Sequence, residues 1–291
     1  MPFSEVREFA ETSEQMPKSR EIPFSQMQKI SESGIFIKHF SQNGKTEMKA
    51  YAHRDDYYMV VLLTDGSAAV EVDYERKVLT SGDILIVSPW QVHNKPSGAE
   101  WQADGWLLAF SPEILSEAET RTIEEYSISS TPFNPGKNIV EDMATLCSML
   151  ERYESDVTVT VALAAAIKSL VLSSLGSSAG KAPGRYRAIT LRLQKLLDTH
   201  LRVKKSPAAY ASMLNISEVY LNEAVKGATG LSVGAYIRSR VMLQARRQLS
   251  YTSLTSKEIA YNLGYDDYAF FSKLFRKCVG KSPSEYRKNL K

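Results

Sequence analysis

Cysteine is nearly absent. Cys147 and Cys278 are the two in 291 residues, 131 positions apart. They form no CxxC pair and no zinc-module spacing, which excludes a disulfide scaffold. Both read as buried apolar fillers in a reducing compartment, so a cytoplasmic protein is expected. With 15 Gly and 11 Pro the chain is too poor in breakers for a collagen-like or low-complexity sequence. A membrane span needs about 20 clean apolar residues. The longest apolar run, Val157–Leu175, carries Lys168 and several Ser and Thr. It reads as a buried or dimer-forming helix, and no membrane partner is expected. The opening MPFSEVREFAETSEQMPKSRE is charged and lacks the apolar stretch of a signal peptide, so no targeting segment is expected. There is no nucleophile elbow, no Walker loop and no GxGxxG. The chain is therefore not expected to be an enzyme, and no catalytic residue, cofactor or metal ion is assigned.

What is present is an ordinary globular composition, 43% hydrophobic and 24% charged, long enough for two or three domains. The net charge of +3 conceals a polarity. Residues 184–291 hold 20 of the 36 Lys+Arg and 7 of the 33 Asp+Glu, a net +13, and the remainder carries −10. A basic half of that strength points to a polyanion, since each phosphate neutralised releases a counterion. Basic residues interleaved with helical apolar spacing, without an anchor, favour nucleic acid over an anionic membrane.

Residues 1 to about 32 read as a loose lead-in or capping strand. Short strands follow: IFIKHF (Ile35–Phe40), YYMVVLL (Tyr57–Leu63), AAVEVD (Ala68–Asp73), DILIVSP (Asp83–Pro89) and WQADGWLLAF (Trp101–Phe110). Asn43-Gly44, Asp65-Gly66, Ser81-Gly82 and Ser97-Gly98 separate them as turns. Such a series suggests a small antiparallel barrel or jelly roll. Ile139, Val140, Met143, Leu146, Cys147 and Leu150 then mark one helix face, and Val157–Leu175 a second helix. SSLGSSAGKAPG (Ser173–Gly184) is the best linker, and the charge changes sign there. The expected divisions are a strand-rich domain at 1–135, a helical dimerisation segment at 136–176, a linker at 177–184 and a nucleic-acid-binding domain at 185–291.

The basic domain contains a repeat of period 50. SPAAYASMLNISEVYLNEAVKGATGLSVGAY (Ser206–Tyr236) aligns with SKEIAYNLGYDDYAFFSKLFRKCVGKSPSEY (Ser256–Tyr286). Each copy reads as a helix capped by Ser206 or Ser256, then a tight turn (Leu214-Asn215-Ile216; Leu263-Gly264-Tyr265). A second helix follows, capped by Ser217 or Asp267. Gly264 supplies the left-handed backbone of the turn. Leu221 and Val225, or Phe271 and Phe275, are its core. These are helix-turn-helix units at 206–229 and 256–279, a motif that places its second helix in the major groove. Val233–Leu249, with Arg238, Arg240, Arg246 and Arg247, reads as the helix that spaces them.

IAYNLGYDDYAFFSKLFRKCVGKSPSEYRK resembles the signature of the AraC/XylS family of transcription regulators, and the likeness covers residues 185–291. YASML…YLNEAVKGATG resembles the version common in Bacteroidetes, while Ala209-Tyr210-Ala211 puts Tyr where many members have a small residue. The resemblance implies a sequence-specific DNA-binding regulator, with activation the commoner outcome. It implies promoter DNA and RNA polymerase as partners, a homodimer and a small-molecule effector. By motif position, the base-reading candidates are the outward Val219, Asn222 and Glu223, and Tyr268, Ala269, Ser272 and Lys273. Asn222 suits an adenine edge and Glu223 a cytosine amino group. Ser217, Lys226, Ser256 and Arg276 are the phosphate candidates.

SGDILIVSPWQVH (Ser81–His93) resembles a cupin barrel. The expected fold class is therefore multidomain α+β: an antiparallel cupin-like β-barrel, a helical dimerisation segment and an all-α double helix-turn-helix domain. Metal-binding cupins carry two His and a Glu in one motif and a His in the next. Here the motifs offer His53 and His93 alone. A non-metal pocket drawn from His53, Tyr57, His93, Trp101 and Trp106 is the leading expectation. A facial site of both imidazoles with Asp55 or Asp56, in a metal-dependent sensor or enzyme, is the alternative. An architectural DNA binder without a ligand is a third reading, disfavoured by two unlike recognition helices. His39 and His200 have no partner suggested by sequence.

Overall fold

The computed structural model describes residues 24–31, 33–41, 51–96, 102–128, 130–178 and 184–288. Most of the expected lead-in, the Asn43-Gly44 and Ser97-Gly98 turns, Trp101 and the middle of the linker lie outside them. The described residues fall into two compact units on either side of the linker.

The first unit contains β1 (Phe24–Ser25), β2 (Ile35–Phe40), β3 (Arg54–Asp55), β4 (Tyr58–Val72), β5 (Glu75–Thr80), β6 (Ile84–Val87), β7 (His93–Asn94) and β8 (Gln102–Phe110). β1 and β3 pair in parallel. The others form one antiparallel sheet of order β2-β8-β4-β5, with β6 and β7 also on β4. The expected closed barrel is not found among the described residues. β4 serves as partner to four strands, and no described pairing joins β2 at one end to β5 at the other.

The strand reading fails at two places with a common cause. Asp65-Gly66 does not turn the chain. β4 runs 15 residues straight through it, with a bulge that shifts its register with β8 between Leu63 and Asp65. Gly66 has φ 81°, and a Cβ there would stand 1.8 Å from the Gln102 carbonyl oxygen, so glycine serves a close backbone approach. The real reversal follows at Asp73 and Tyr74, both at positive φ, and leads into β5, which composition does not announce.

Alternation along the strands gives the sheet two apolar faces. Tyr58, Val60, Leu62, Ile84, Ile86, Trp106 and Leu108 occupy one face. Met59, Val61, Leu63, Val70, Val72, Leu79 and Leu85 occupy the other. The bulge inverts the parity: odd positions of β4 line the second face before it, and even positions after it. Helices cover the first face: α1 (Glu117–Ser127), α2 (Lys137–Arg152) and α3 (Val157–Ser178). α1 opens with a Ser116/Glu119 capping box and buries one residue, Ile123, so it carries no apolar periodicity for the sequence to show. α3 is long and apolar enough to cross a membrane by composition. Yet Thr160, Ala164, Ile167, Val171 and Ser174 form a buried stripe at spacings of three and four. Lys168 Nζ pairs with Glu119 at 3.0 Å. Cys147 is buried, as read, and burial pushes its thiol up to about 12. Cys278 is exposed and is not a core filler.

The second unit is all helical: α4 (Gly184–His200), α5 (Pro207–Met213), α6 (Glu218–Thr229), α7 (Val233–Tyr251), α8 (Ser256–Asn262), α9 (Tyr268–Val279) and α10 (Pro283–Lys288). One core serves both halves of the repeat. Leu193 and Leu197 of α4 meet Leu221 and Val225 of α6. Val233, Ile237, Val241, Ala245 and Leu249 run down α7 as a continuous stripe to Ile259, Phe271 and Phe275. Tyr210, unusual at its position, is fully buried, and its hydroxyl donates to the Lys204 carbonyl at 2.7 Å. That acceptor offsets the cost of taking the phenol hydroxyl out of water.

Candidate nucleic-acid interface

The two repeats build the same local device. After α5 and after α8 the chain reverses through one left-handed residue, Asn215 (φ 56°) or Gly264 (φ 74°). The Ile216 amide then donates back to Ala211, and the Tyr265 amide to Ala260. Asn tolerates this backbone region better than other side-chain residues. At Gly264 no side chain fits, since a Cβ would stand 1.8 Å from the Arg202 carbonyl oxygen. Lys205 ties this turn to the end of α4: its Nζ donates to the Gly264 and Arg202 carbonyls at 3.1 and 3.2 Å and stands over the Tyr265 ring. Burial holds its ammonium below the usual lysine range.

The next helix starts on a polar cap. Ser217 Oγ accepts from the Tyr220 amide at 3.1 Å, and Asp267 Oδ1 accepts from Ala269 and Phe270 at 2.7 and 3.1 Å. Both helices end at a left-handed glycine, Gly230 or Gly280. The core-facing residues Leu221, Val225, Phe271 and Phe275 are fully buried. The opposite face of α6 exposes Val219, Glu223 and Lys226, and that of α9 exposes Ala269, Lys273 and Arg276.

Four expected site residues sit differently. Asn222 is half-buried, and its Oδ1 accepts from the Val233 amide at 3.1 Å, tying α6 to the start of α7 instead of standing outward. Tyr268 is half-buried against the core, and Ser272 is also half-buried. Ser256 is not the cap of α8. Thr255 is, in a reciprocal capping box with Glu258. The repeat is of period 49 ahead of the turn and 50 after it, because the second copy inserts Asp266 before its cap. A single period misplaces the first cap by one residue.

Some exposed groups escaped the sequence reading. Phe270 on α9 is 56% exposed and Tyr261 on α8 is 59% exposed. An aromatic residue in an amphipathic helix reads as core, yet Phe270 precedes the core residue Phe271 and so falls outside the apolar stripe. Arg276 donates through Nη2 to both Glu285 carboxylate oxygens at 2.6 Å. Arg276 first, then the Ser282 amide and hydroxyl, hold the Glu285 carboxyl down to about 2.

In the first unit, Trp106 lies opposite Leu62 in the sheet register and so belongs to the helix-covered face. His93 lies opposite Val72 and so belongs to the other. The pocket candidates therefore do not converge as one set. His53 and His93 do come together, with ring centroids 4.2 Å apart, and Asp55 joins them. Tyr57 is buried and donates a hydrogen bond to Asp55; burial first, then the Asp55 charge, pushes its phenol upward. Asp56, the other acidic candidate, faces away and accepts from the Met27 amide at 2.8 Å.

Two capped helix-turn-helix units on one core, in a strongly basic unit, define a DNA-binding protein of the double helix-turn-helix class. Residues 210–289 match the helix-turn-helix domain family HTH_18. The regulatory protein SoxS of Salmonella typhimurium is 30% identical over 105 residues, which is 36% of this chain and 98% of SoxS. The arabinose operon regulatory protein of the same organism is 24% identical over 245 residues, 79% of this chain and 83% of that protein. The solved C-terminal domain of AraT, a response regulator from Geobacillus stearothermophilus, is 32% identical with a TM-score of 0.33, covering 35% of this chain and 84% of that domain. The chain belongs to the AraC/XylS family of transcription regulators. It is a DNA-binding regulator, with double-stranded DNA as its partner.

Proposed function

We propose that the protein regulates transcription in the cytoplasm by sequence-specific binding, with α6 and α9 in successive major grooves about one helical turn apart. The observation that carries this is a pair of similarly capped helices with unlike outward faces: Val219, Glu223 and Lys226 on one, Ala269, Phe270, Lys273 and Arg276 on the other. Two different heads suit an asymmetric site. Val219, Ala269 and Phe270 supply apolar contacts for thymine methyls, Glu223 an acceptor for cytosine, and Lys273 a donor for guanine. Lys226 and Arg276 bind phosphate, as do the helix starts at Ser217 and Ser256. Asn222, Tyr268 and Ser272 hold the footing of the helices.

The first unit acts as a cupin-like sensor whose effector biases an existing equilibrium of the regulator. Subunits pair through α2 and α3, where Met149, Tyr153, Val157 and Val161 remain exposed. Activation through contact with RNA polymerase is the expected output. The two-head reading is tested with the full chain on a library of single-base variants of a selected duplex. V219A/E223A should relax discrimination in one half of the site and K273A in the other, each by about 1–3 kcal/mol per contacted base pair. Relaxation of the same bases by both variants contradicts it.

A further inference from the structure

His53, Asp55 and His93 are 6%, 3% and 1% exposed, and one potential ligand atom from each lies within 4.8 Å of the others. The backbone fixes this convergence. His53 and His93 face each other as a hydrogen-bonded antiparallel pair, with N–H donors to each other's carbonyls at 3.1 and 2.9 Å. Asp55 lies two residues beyond His53, so strand alternation returns it to the same side. Its own carbonyl accepts from the Trp90 amide at 2.9 Å.

Backbone carbonyls fix the orientation of both rings. His53 Nδ1 lies 3.1 Å from the Tyr51 carbonyl oxygen, and His93 Nδ1 lies 3.1 Å from the Gln91 carbonyl oxygen. A carbonyl only accepts, so each Nδ1 donates there, and Nε2 is the ring nitrogen left to face the cluster. Metal-ligating histidines are oriented in this way by an outer carbonyl. His93 Nε2 stands 3.2 Å from Asp55 Oδ2, yet it is buried and makes no hydrogen bond. A cation held between these two atoms would be bound by both at once. Two ligand atoms about 2.0–2.2 Å from one ion, at roughly a right to tetrahedral angle, stand about 3.2 Å apart. The Tyr57 hydroxyl, donating to Asp55, supplies the outer hydrogen bond that orients a ligating carboxylate.

We propose that His53, Asp55 and His93 bind one divalent first-row transition-metal ion in the N-terminal unit. Imidazole and carboxylate donors suit zinc, iron, cobalt or nickel and disfavour calcium and magnesium. Three protein ligands leave a coordination position open to water or to a donor atom of a small molecule. This site is independent of the DNA-binding reading.

The test uses the untagged full chain after chelator treatment, titrated with Zn2+ and, for its visible ligand-field bands, Co2+. The chain has four His. The H39Q/H200Q variant leaves His53 and His93 as the sole imidazoles and does not touch the cluster. It should bind one ion per chain, as the wild type does, with the imidazole 15N resonances of both remaining histidines displaced. H93A and D55A should weaken binding at least about 100-fold, since losing even an outer-shell partner costs 10–100-fold. Absence of stoichiometric binding by the wild type overturns the proposal. So does unchanged binding in folded H93A, or binding by H39Q/H200Q that leaves both imidazole spectra unmoved. If H93A and D55A do not fold, the wild-type and H39Q/H200Q spectra decide alone.

Discussion

Replacing Gly264 by alanine should cripple the second helix-turn-helix while leaving the first intact. Two costs add at this position. An alanine at φ 74° occupies the left-handed region, at about 1–2 kcal/mol. Its Cβ would also meet the Arg202 carbonyl oxygen at 1.8 Å, and that atom is backbone, so the turn must move away from α4. Overpacking of this kind costs roughly 1–3 kcal/mol. The shift also drags Lys205 Nζ off the Gly264 and Arg202 carbonyls. About 2–5 kcal/mol follows, with the loss confined to α8 and α9. The companion change, Asn215→Gly, sits at the same place in the first unit and relieves a left-handed asparagine, so it should move stability by less than about 1 kcal/mol. Amide hydrogen exchange on the full chain reads both, because it resolves local opening. The Tyr265 and Phe271 amides should exchange at least about 30-fold faster in G264A, the equivalent of 2 kcal/mol, and those of Ile216 and Leu221 should hardly change. Protection of Tyr265 within about fivefold of the wild type would refute the reasoning, since backbone would then have yielded without cost.

Three more outcomes follow from named contacts. Thr255→Ala should destabilise α8 by about 1 kcal/mol and Ser256→Ala by less than about 0.5 kcal/mol, measured by the same exchange; the reverse order would restore Ser256 as the cap. Glu285 has a depressed folded-state pKa, so its link to Arg276 is complete above about pH 4.5 and lost only as pH falls toward 2. A carboxyl 13C titration should place the Glu285 midpoint near 2, and a midpoint above 4 would show that the guanidinium is elsewhere. Lys226→Ala should weaken binding to all duplexes alike and lower the slope of log affinity against log salt by about 1; loss limited to the selected duplex would make Lys226 a base reader.

The helical unit was more legible in the sequence than the sheet. Helix-turn-helix chemistry is local: a cap, a left-handed residue and two buried positions one turn apart are all visible within 25 residues, as Ser217, Gly264 and Leu221/Val225 show. The outward assignment was weaker. Asn222 looks exposed by periodicity, but its partner is the Val233 amide 11 residues on, across the turn into α7. The sheet depends on distant pairing. Asp65-Gly66 has turn composition, but its neighbour in space is Gln102, and that approach makes it a bulge instead. Asp73-Tyr74 turns with no glycine at all. The histidine cluster was half visible. His53 and His93 stood out as scarce residues, but the choice between Asp55 and Asp56 needed the strand alternation that sends one inward and the other to Met27.

The central claim, that this protein reads DNA sequence, is tested most directly by fluorescence anisotropy. A duplex selected from a random pool would be compared with its scrambled counterpart over a salt series, using the full chain. Preference for the selected duplex of about a thousandfold or more, persisting as salt rises, is the predicted result. Equal affinity for both, falling in parallel with salt, would contradict it and leave binding to the phosphate backbone alone.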